Sequence, residues 1–315
     1  MELNPLFTSS KVKRDVGDRA GIIGGSNAGA CLKLSTYQSE YEAYLAFIGK
    51  SEPVSEETQA RFDMGHALED FIAEQVMRIK GITLRRSNFA YVNDKYPFLL
   101  CHPDRMVVGL QNGKRVAAEI KSSSAFDNKR WGPDGSDQIP YDYMVQCYLY
   151  FICGVCEEVW LYRFSNNQIT EYIIQYNEQR ALGIMDRLVE WVEKVRGGYI
   201  PECISYKEAT QRWNVDTEGD LEADEVLETL VMKLHDTKDR MKALKNEEDD
   251  LKRRIVEKLG GKQRLMLNGE ILATYKQNMT ARFDSAAFKK DHADLYEQYT
   301  LRTPTMRFNL KSEKE

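Results

Sequence analysis

The sequence predicts a mixed α/β fold: a mixed sheet covered by helices, followed by a helical arm and a small α+β domain. Three observations predict it. Segments with helical period alternate with short segments of strand period up to about residue 200. The strand candidates are rich in β-branched and aromatic residues and are separated by Gly, Asn and Pro. After Pro201 the composition turns acidic and helical. At 315 residues the chain exceeds what one compact domain usually needs. The expected division is 1–210, 211–260 and 261–315.

Residues 35–50 read as an amphipathic helix opened by a Ser/Thr cap. Residues 57–80 form a longer one that places Phe62, Leu68, Ile72, Val76 and Ile79 roughly on one face and stops at Gly81. NFAYVN, FLLCHPDRMVVG and KRVAAEIKSS then read as three strands. A helix over 141–153, strands at EEVWLYRF and TEYIIQY, and a helix over 178–196 complete the first domain. From about 221 to 259 a helix carries a heptad-like seam: Leu227, Leu230, Leu234, Met241, Leu244, Leu251 and Ile255. Thr237 and Glu248 interrupt that seam, which favours a short helical hairpin or a dimer contact over a long solitary coiled coil. RLMLNGEILATYKQ, SAAFKKDHADLYEQY and MRFNLK read as hairpin, helix and strand.

Composition excludes some classes. No window holds eighteen uncharged apolar residues, so no membrane span or membrane partner is expected. The N-terminus lacks the apolar core of a secretory signal, and a cytoplasmic location is expected. Six cysteines in a chain of this size do not make a disulfide framework. The net charge of −5 weighs against a nucleic-acid partner. However, the acidic excess is concentrated in 215–258, and Lys11, Lys13, Arg14 and Arg19 cluster near the start.

The central chemical signal is HPDRMVVGLQNGKRVAAEIKSS. Asp104 stands at the start of one strand, and Glu119 and Lys121 are two apart on the next, so they project from one face. A turn at Gly113 folds the second strand beside the first. Two carboxylates from adjacent strands suit a hard divalent cation, magnesium or in its place manganese. The Ile120 carbonyl is a further candidate ligand, and Lys121 can orient the attacking water or help to deprotonate it. Solvated charges on an edge hairpin are the plain alternative. Ala118 and Ile120 weigh against it, because a carboxylate in a strand buried on both faces needs compensation.

Three further segments accompany this signal: RAGIIGGSNAG at 19–29 and MGHALED at 64–70 before its CHPDRM and AEIKSS motifs, and YMVQCYLY at 143–150 after them. In this order, over roughly 14–200, the chain resembles the YqaJ-type viral recombinases and phage lambda exonuclease. These belong to the PD-(D/E)XK nuclease superfamily, with a restriction-endonuclease-like core. The resemblance implies that Arg19 and Ser26 hold the terminal 5'-phosphate of the digested strand, with Arg14 as the alternative arginine. It makes Asp104 and Glu119 metal ligands and Lys121 the catalytic lysine, with Glu69 reaching the metal through water or a second cation. Gln146 and Tyr150 then position active-site groups or substrate. Asn27 stands where relatives often carry Asp and is not taken as a ligand.

The implied activity is a 5'-to-3' exonuclease acting on double-stranded DNA ends and leaving 3' single strands for phage-type recombination in a bacterial host. A ring-shaped trimer and a single-strand annealing protein are the implied partners. An endonuclease of the same fold and a non-catalytic DNA-end-binding scaffold remain the alternatives. His66 and His102 fall inside the motifs, and a structural role is favoured for both. Cys153 and Cys156, with Cys31 and Cys203, are a poor match to an iron–sulfur ligand set, so no cluster is expected.

Overall fold

The computed structural model describes residues 3–13, 20–213, 219–302 and 307–311. The chain divides into two compact units, 1–211 and 212–315.

The first unit opens with β1 (Ser9–Lys13), α1 (Gly25–Cys31), α2 (Glu40–Phe47) and α3 (Glu56–Lys80). Strands β2 (Thr83–Arg86), β3 (Phe89–Asn93), β4 (Leu100–Cys101), β5 (Arg105–Val108) and β6 (Val116–Ser122) follow. A 3-10 turn over Ala125–Arg130 leads to α4 (Tyr141–Ile152), β7 (Glu158–Ser165), β8 (Gln168–Gln175), α5 (Glu178–Arg196) and α6 (Tyr206–Arg212).

Five strands form the main sheet in the order β2-β5-β6-β7-β8. All its pairings are antiparallel except β6 with β7. A parallel pair needs a crossover, and α4 supplies it. The β7–β8 hairpin turns through Asn166 and Asn167, both at positive φ, the conformation that a two-residue turn between twisted strands requires. Strands β1, β3 and β4 make a separate antiparallel sheet.

Helices cover both faces of the main sheet. Val116, Ala118 and Ile120 join Ile72, Ala73 and Val76 of α3 in one apolar cluster. Ala117, Val159 and Leu161 join α4 and α5 in the other. That double cover explains the near-continuous apolar run VAAEI, since a strand buried on both faces has no polar side. The mixed sheet flanked by helices is the fold class that the sequence predicts.

Several local expectations change. The segment expected as one strand over FLLCHPDRMVVG is two, β4 and β5, in different sheets. The break falls at His102–Asp104, where Pro103 cannot donate to a ladder. Helix α2 starts at Glu40 rather than 35, because Ser39 and Glu42 form a reciprocal cap there. Helix α3 buries Glu69, Ile72, Ala73 and Val76, whereas Phe62 and Ile79 are exposed. The short polar strands β1 and β2 and the Gly/Ala-rich α1 carry no periodic signal of their own.

The second unit contains α7 (Glu225–Leu259), β9 (Arg264–Leu267), β10 (Glu270–Thr274), α8 (Ser285–Asp291) and α9 (Ala293–Gln298). The acidic arm is one continuous helix of 35 residues, not a hairpin. Asp224 caps its start by accepting from the Leu227 N–H at 2.8 Å. The helix expected over SAAFKKDHADLYEQY is two, divided at His292. Residues 307–311, expected as part of a strand, are irregular. Among the described residues, no helix is long and apolar enough to cross a membrane.

Candidate active site

Glu119 is the most deeply placed of the charged candidate residues, 1% exposed in the middle of β6. Its position on the strand points it at α4, where Gln146 and Tyr150 lie one turn apart. Gln146 Nε2 donates to Glu119 Oε1 at 2.6 Å, and the Tyr150 hydroxyl donates to Oε2. Lys121, two residues on and on the same face, places its Nζ 2.6 Å from Oε1. A buried carboxylate would otherwise cost several kcal/mol, roughly the effective penalty for an ion taken from water. Here two neutral donors and one cation offset it.

Asp104 sits in the break between β4 and β5. The Gly113 turn, at φ +67, returns the chain so that β6 pairs beside β5. The Ile120 N–H then donates to Asp104 Oδ2 at 2.9 Å. Burial, and then the charge of Glu119, push the Asp104 carboxyl well above its ordinary range, with Lys121 opposing. For Lys121, burial works against the ammonium, but Glu119 and Asp104 outweigh it and hold its pKa above the usual lysine value. Its Nζ also lies 5.2 Å from the centre of the Tyr143 ring. Burial and the Glu119 charge push the Tyr150 hydroxyl well above its ordinary range, so it remains a donor.

Glu69 behaves differently. Its side chain projects from α3, and Arg105 Nη1 donates to its Oε1 while Nη2 donates to Asp70 Oδ1. Arg105 is buried and also donates to the Asp104 carbonyl at 2.7 Å. Sequence reasoning did not single out Arg105. The available signal was a guanidinium placed directly after Asp104 and before the apolar run Met106–Val108.

A cavity of about 690 Å³ adjoins these groups, and Ser26, Glu69, Asp104, Gln146 and Tyr150 all line it. Glu119, Ile120 and Lys121 are not on its wall: Glu119 lies beneath Gln146 and Tyr150. Ser26 is brought there by an isolated bridge between Ile23 and Leu99, with Ile23 N–H donating to the Phe98 carbonyl at 2.6 Å. Gly25 packs against Gln146 so closely that a Cβ would lie 2.7 Å from Gln146 Cγ. Asn27 accepts from the Gly24 N–H at 2.7 Å, a capping role and not a ligand's. Arg14 and Arg19 lie outside the described residues.

His102 contacts the Ser87 carbonyl through Nε2 at 3.2 Å, and exposed His66 borders the cavity. Cys31, Cys101, Cys147, Cys153 and Cys156 are buried. Burial pushes the Cys31 and Cys156 thiols up to about 12 and those of Cys101 and Cys147 well above the usual value, so these four pack as neutral thiols.

The donor set decides what the site can hold. Asp104 and Glu119 offer only oxygen, and their charges raise the affinity of Asp104 for a positive partner. That fits a hard divalent cation. No cluster of three or more His, Cys, Asp or Glu side chains arranged for a metal occurs among the described residues, so water or substrate oxygens would complete the shell.

The helix-covered mixed sheet thus brings Asp104, from the β4–β5 break, beside Glu119 and Lys121 of β6. Residues 16–157 match the family model described as the YqaJ-like viral recombinase domain. The chain is similar to the Bacillus subtilis (strain 168) protein YqaJ, at 26% identity over 97% of both chains. Among solved structures it is similar to LHK-Exo, an alkaline exonuclease from Laribacter hongkongensis, also solved in complex with dAMP. Identity there is 12%, with 62% of this chain and 95% of that one covered and a TM-score of 0.45.

Proposed function

We propose that the protein is a magnesium-dependent deoxyribonuclease that digests double-stranded DNA from its ends, 5' to 3', and leaves 3' single strands for recombination. The observation that carries this reading is the buried Glu119 carboxylate, held by Gln146, Tyr150 and Lys121 beside the raised Asp104 carboxyl. Asp104, Glu119 and the Ile120 carbonyl would hold the cation, with Glu69 reaching it through water. Bound there, magnesium or manganese would acidify a water and neutralise charge on the phosphate under attack.

The chain's own groups do the rest. Tyr150 and Gln146 fix the orientation of Glu119, and the Ile120 N–H fixes that of Asp104. Lys121, whose pKa the Glu119 and Asp104 charges hold above the usual lysine value, would orient the attacking water or a phosphate oxygen. Ser26 faces the same cavity and would bind a terminal phosphate, together with Arg19. The viral recombinase family supports the recombination setting. A ring-shaped trimer around DNA, a single-strand annealing partner and a cytoplasmic location complete the proposal.

The test is digestion of linear duplexes carrying 5'-phosphate or 5'-hydroxyl ends, and of a covalently closed circle, with magnesium or EDTA. Magnesium-dependent release of mononucleotides, faster from 5'-phosphate ends and absent in Glu119→Gln, is expected. Cleavage of the closed circle would replace this reading with an endonuclease. Equal inertness of wild type and variant on every substrate would leave a DNA-end-binding scaffold.

A further inference from the structure

Helix α7 is about 52 Å long at 1.5 Å per residue and carries its apolar seam in the open. Met241 and Leu244 are each 65% exposed, and Leu230 is 55% exposed. The seam keeps strict heptad spacing from Leu227 to Lys258, with Thr237 and Glu248 as its two internal polar positions. A face of this kind needs a partner, and the order of residues along it says which.

We infer that α7 is a self-complementary arm through which two copies of this chain pair antiparallel. If the twofold axis passes between Lys242 and Ala243, Met241 of one copy packs opposite Leu244 of the other. The same register sets Leu234 opposite Leu251 and Leu230 opposite Ile255. The two internal interruptions then fall into the same layer: Thr237 lies opposite Glu248. No apolar seam residue inside the pair is wasted against a polar one. Leu227 alone meets a charged residue, Lys258, at the end, where the lysine stem can cover it.

Parallel pairing is worse on this sequence. It would set Glu248 against its own copy in one buried layer, which costs free energy without a compensating charge. The antiparallel register gives Glu248 a hydroxyl instead, and Lys245 and Lys252 of its own helix already neutralise it. Along the flanks, Arg240 faces Glu247 of the other copy, an attractive pair. Lys238 faces Lys245, a like-charge pair, and the contact of Lys245 with Glu248 and Asp249 moderates it.

A second feature fits the same occupant. Near the end of α7, Leu265 of β9 joins Leu251 and Ile255 to line a groove of about 790 Å³. In this register, Leu234 and Leu230 of the second copy are the residues that reach it. An isologous twofold contact closes on itself, so the arm joins two chains, or two rings, and does not propagate a filament.

The experiment uses the full chain carrying Cys203→Ser, which removes the partly exposed cysteine. Leu234→Cys and Leu251→Cys are prepared separately, mixed and mildly oxidised. A disulfide-linked heterodimer that appears only in the mixture supports the register. Self-linking of each variant alone would overturn it in favour of parallel pairing. In parallel, Met241→Glu with Leu244→Glu, both on the open face, is expected to halve the solution mass measured by light scattering while circular dichroism stays unchanged. An unchanged mass together with no heterodimer overturns the proposal. Neither readout uses nuclease activity, so failure here is separable from failure of the proposed function.

Discussion

Strand β6 and helix α7 set charge against apolar surface in opposite ways. In β6 a carboxylate is buried inside an apolar strand, and three neighbours from two elements, Gln146 and Tyr150 of α4 and Lys121 of β6, converge on it. In α7 apolar side chains stand out of a charged helix, and the ion pairs on its surface are local ones three or four residues apart. The first arrangement is compensated within the chain, and the compensation is the candidate active site. The second is left uncompensated within the chain, and what is missing has the shape of another copy. Unfavourable local chemistry thus points inward in one unit and outward in the other.

The sharpest way to break that contrast is to remove the buried charge alone. Glu119→Gln keeps the shape, and its amide oxygen can still accept from Gln146 or Tyr150. Its NH2 replaces the second acceptor, however, and the neutral amide offers the cation no charge. Turnover on linear duplex DNA is expected to fall at least about 100-fold, the scale of losing one preorganised charge-stabilising group. Circular dichroism should be unchanged. Residual activity within a few-fold of wild type would show that Glu119 is structural and that the comparison rests on the wrong residue.

Next in size is the clamp between α3 and β5. Arg105→Met leaves Glu69 buried without its cation, which costs about 3–5 kcal/mol when one partner of a buried pair is removed. A lowered midpoint in urea, with the slope retained, would express this. Restoring most of that loss with Glu69→Gln in the same chain would show that the unpaired charge caused it. No rescue would mean that Arg105 acts through the Asp104 carbonyl alone.

How much of this was legible differs by region for physical reasons. Strand β6 and helix α4 could be read because each is a dense apolar run of the right length bounded by turn residues, and Glu119 and Lys121 share a face by geometry alone. The Arg105 clamp could not be read, since it joins residues 36 apart through a helix-to-strand contact that no local pattern encodes. Helix α1 was hidden because Gly, Ser and Ala carry little hydrophobic signal. Their small size is what lets the segment approach α4, as at Gly25 and Gln146. For α3 the periodicity was real but overextended. The helix is 25 residues long, and its first three turns up to residue 67 are largely exposed, so Phe62 follows the period without reaching the core. In α7 the heptad was plain from the sequence. Of the hairpin and the dimer contact that the sequence left open, the structure removes the hairpin, since α7 runs unbroken for 35 residues.

A smaller effect is expected at Gly25, where an added methyl must displace Gln146. Gly25→Ala should cost about 1–3 kcal/mol, the range for overpacking a tight contact. It should also loosen the hold of Gln146 on Glu119. A drop in kcat with unchanged KM for DNA would place the damage in the carboxylate's orientation. Unchanged kcat would mean that Tyr150 and Lys121 suffice to hold it.

The smallest expected effect has the opposite sign. The folded protein prefers Asp104 protonated, because burial and Glu119 raise its pKa above the unfolded value. The stability tied to that proton is therefore fully present below the unfolded pKa, near 3.9 in order of magnitude, and is lost as pH rises towards the raised folded value. At pH 8 in EDTA, Asp104→Asn should accordingly melt higher than wild type, by about 2–4 °C. The amide oxygen can still accept from the Ile120 N–H, so the one hydrogen bond at stake survives. Magnesium should then raise the Tm of wild type and not of the variant, because only the wild-type pair binds the cation. A variant that melts lower than wild type in EDTA would mean that the aspartate is already compensated within the chain. The site would then resemble an ordinary buried network, and the electrostatic case for a metal between Asp104 and Glu119 would fall.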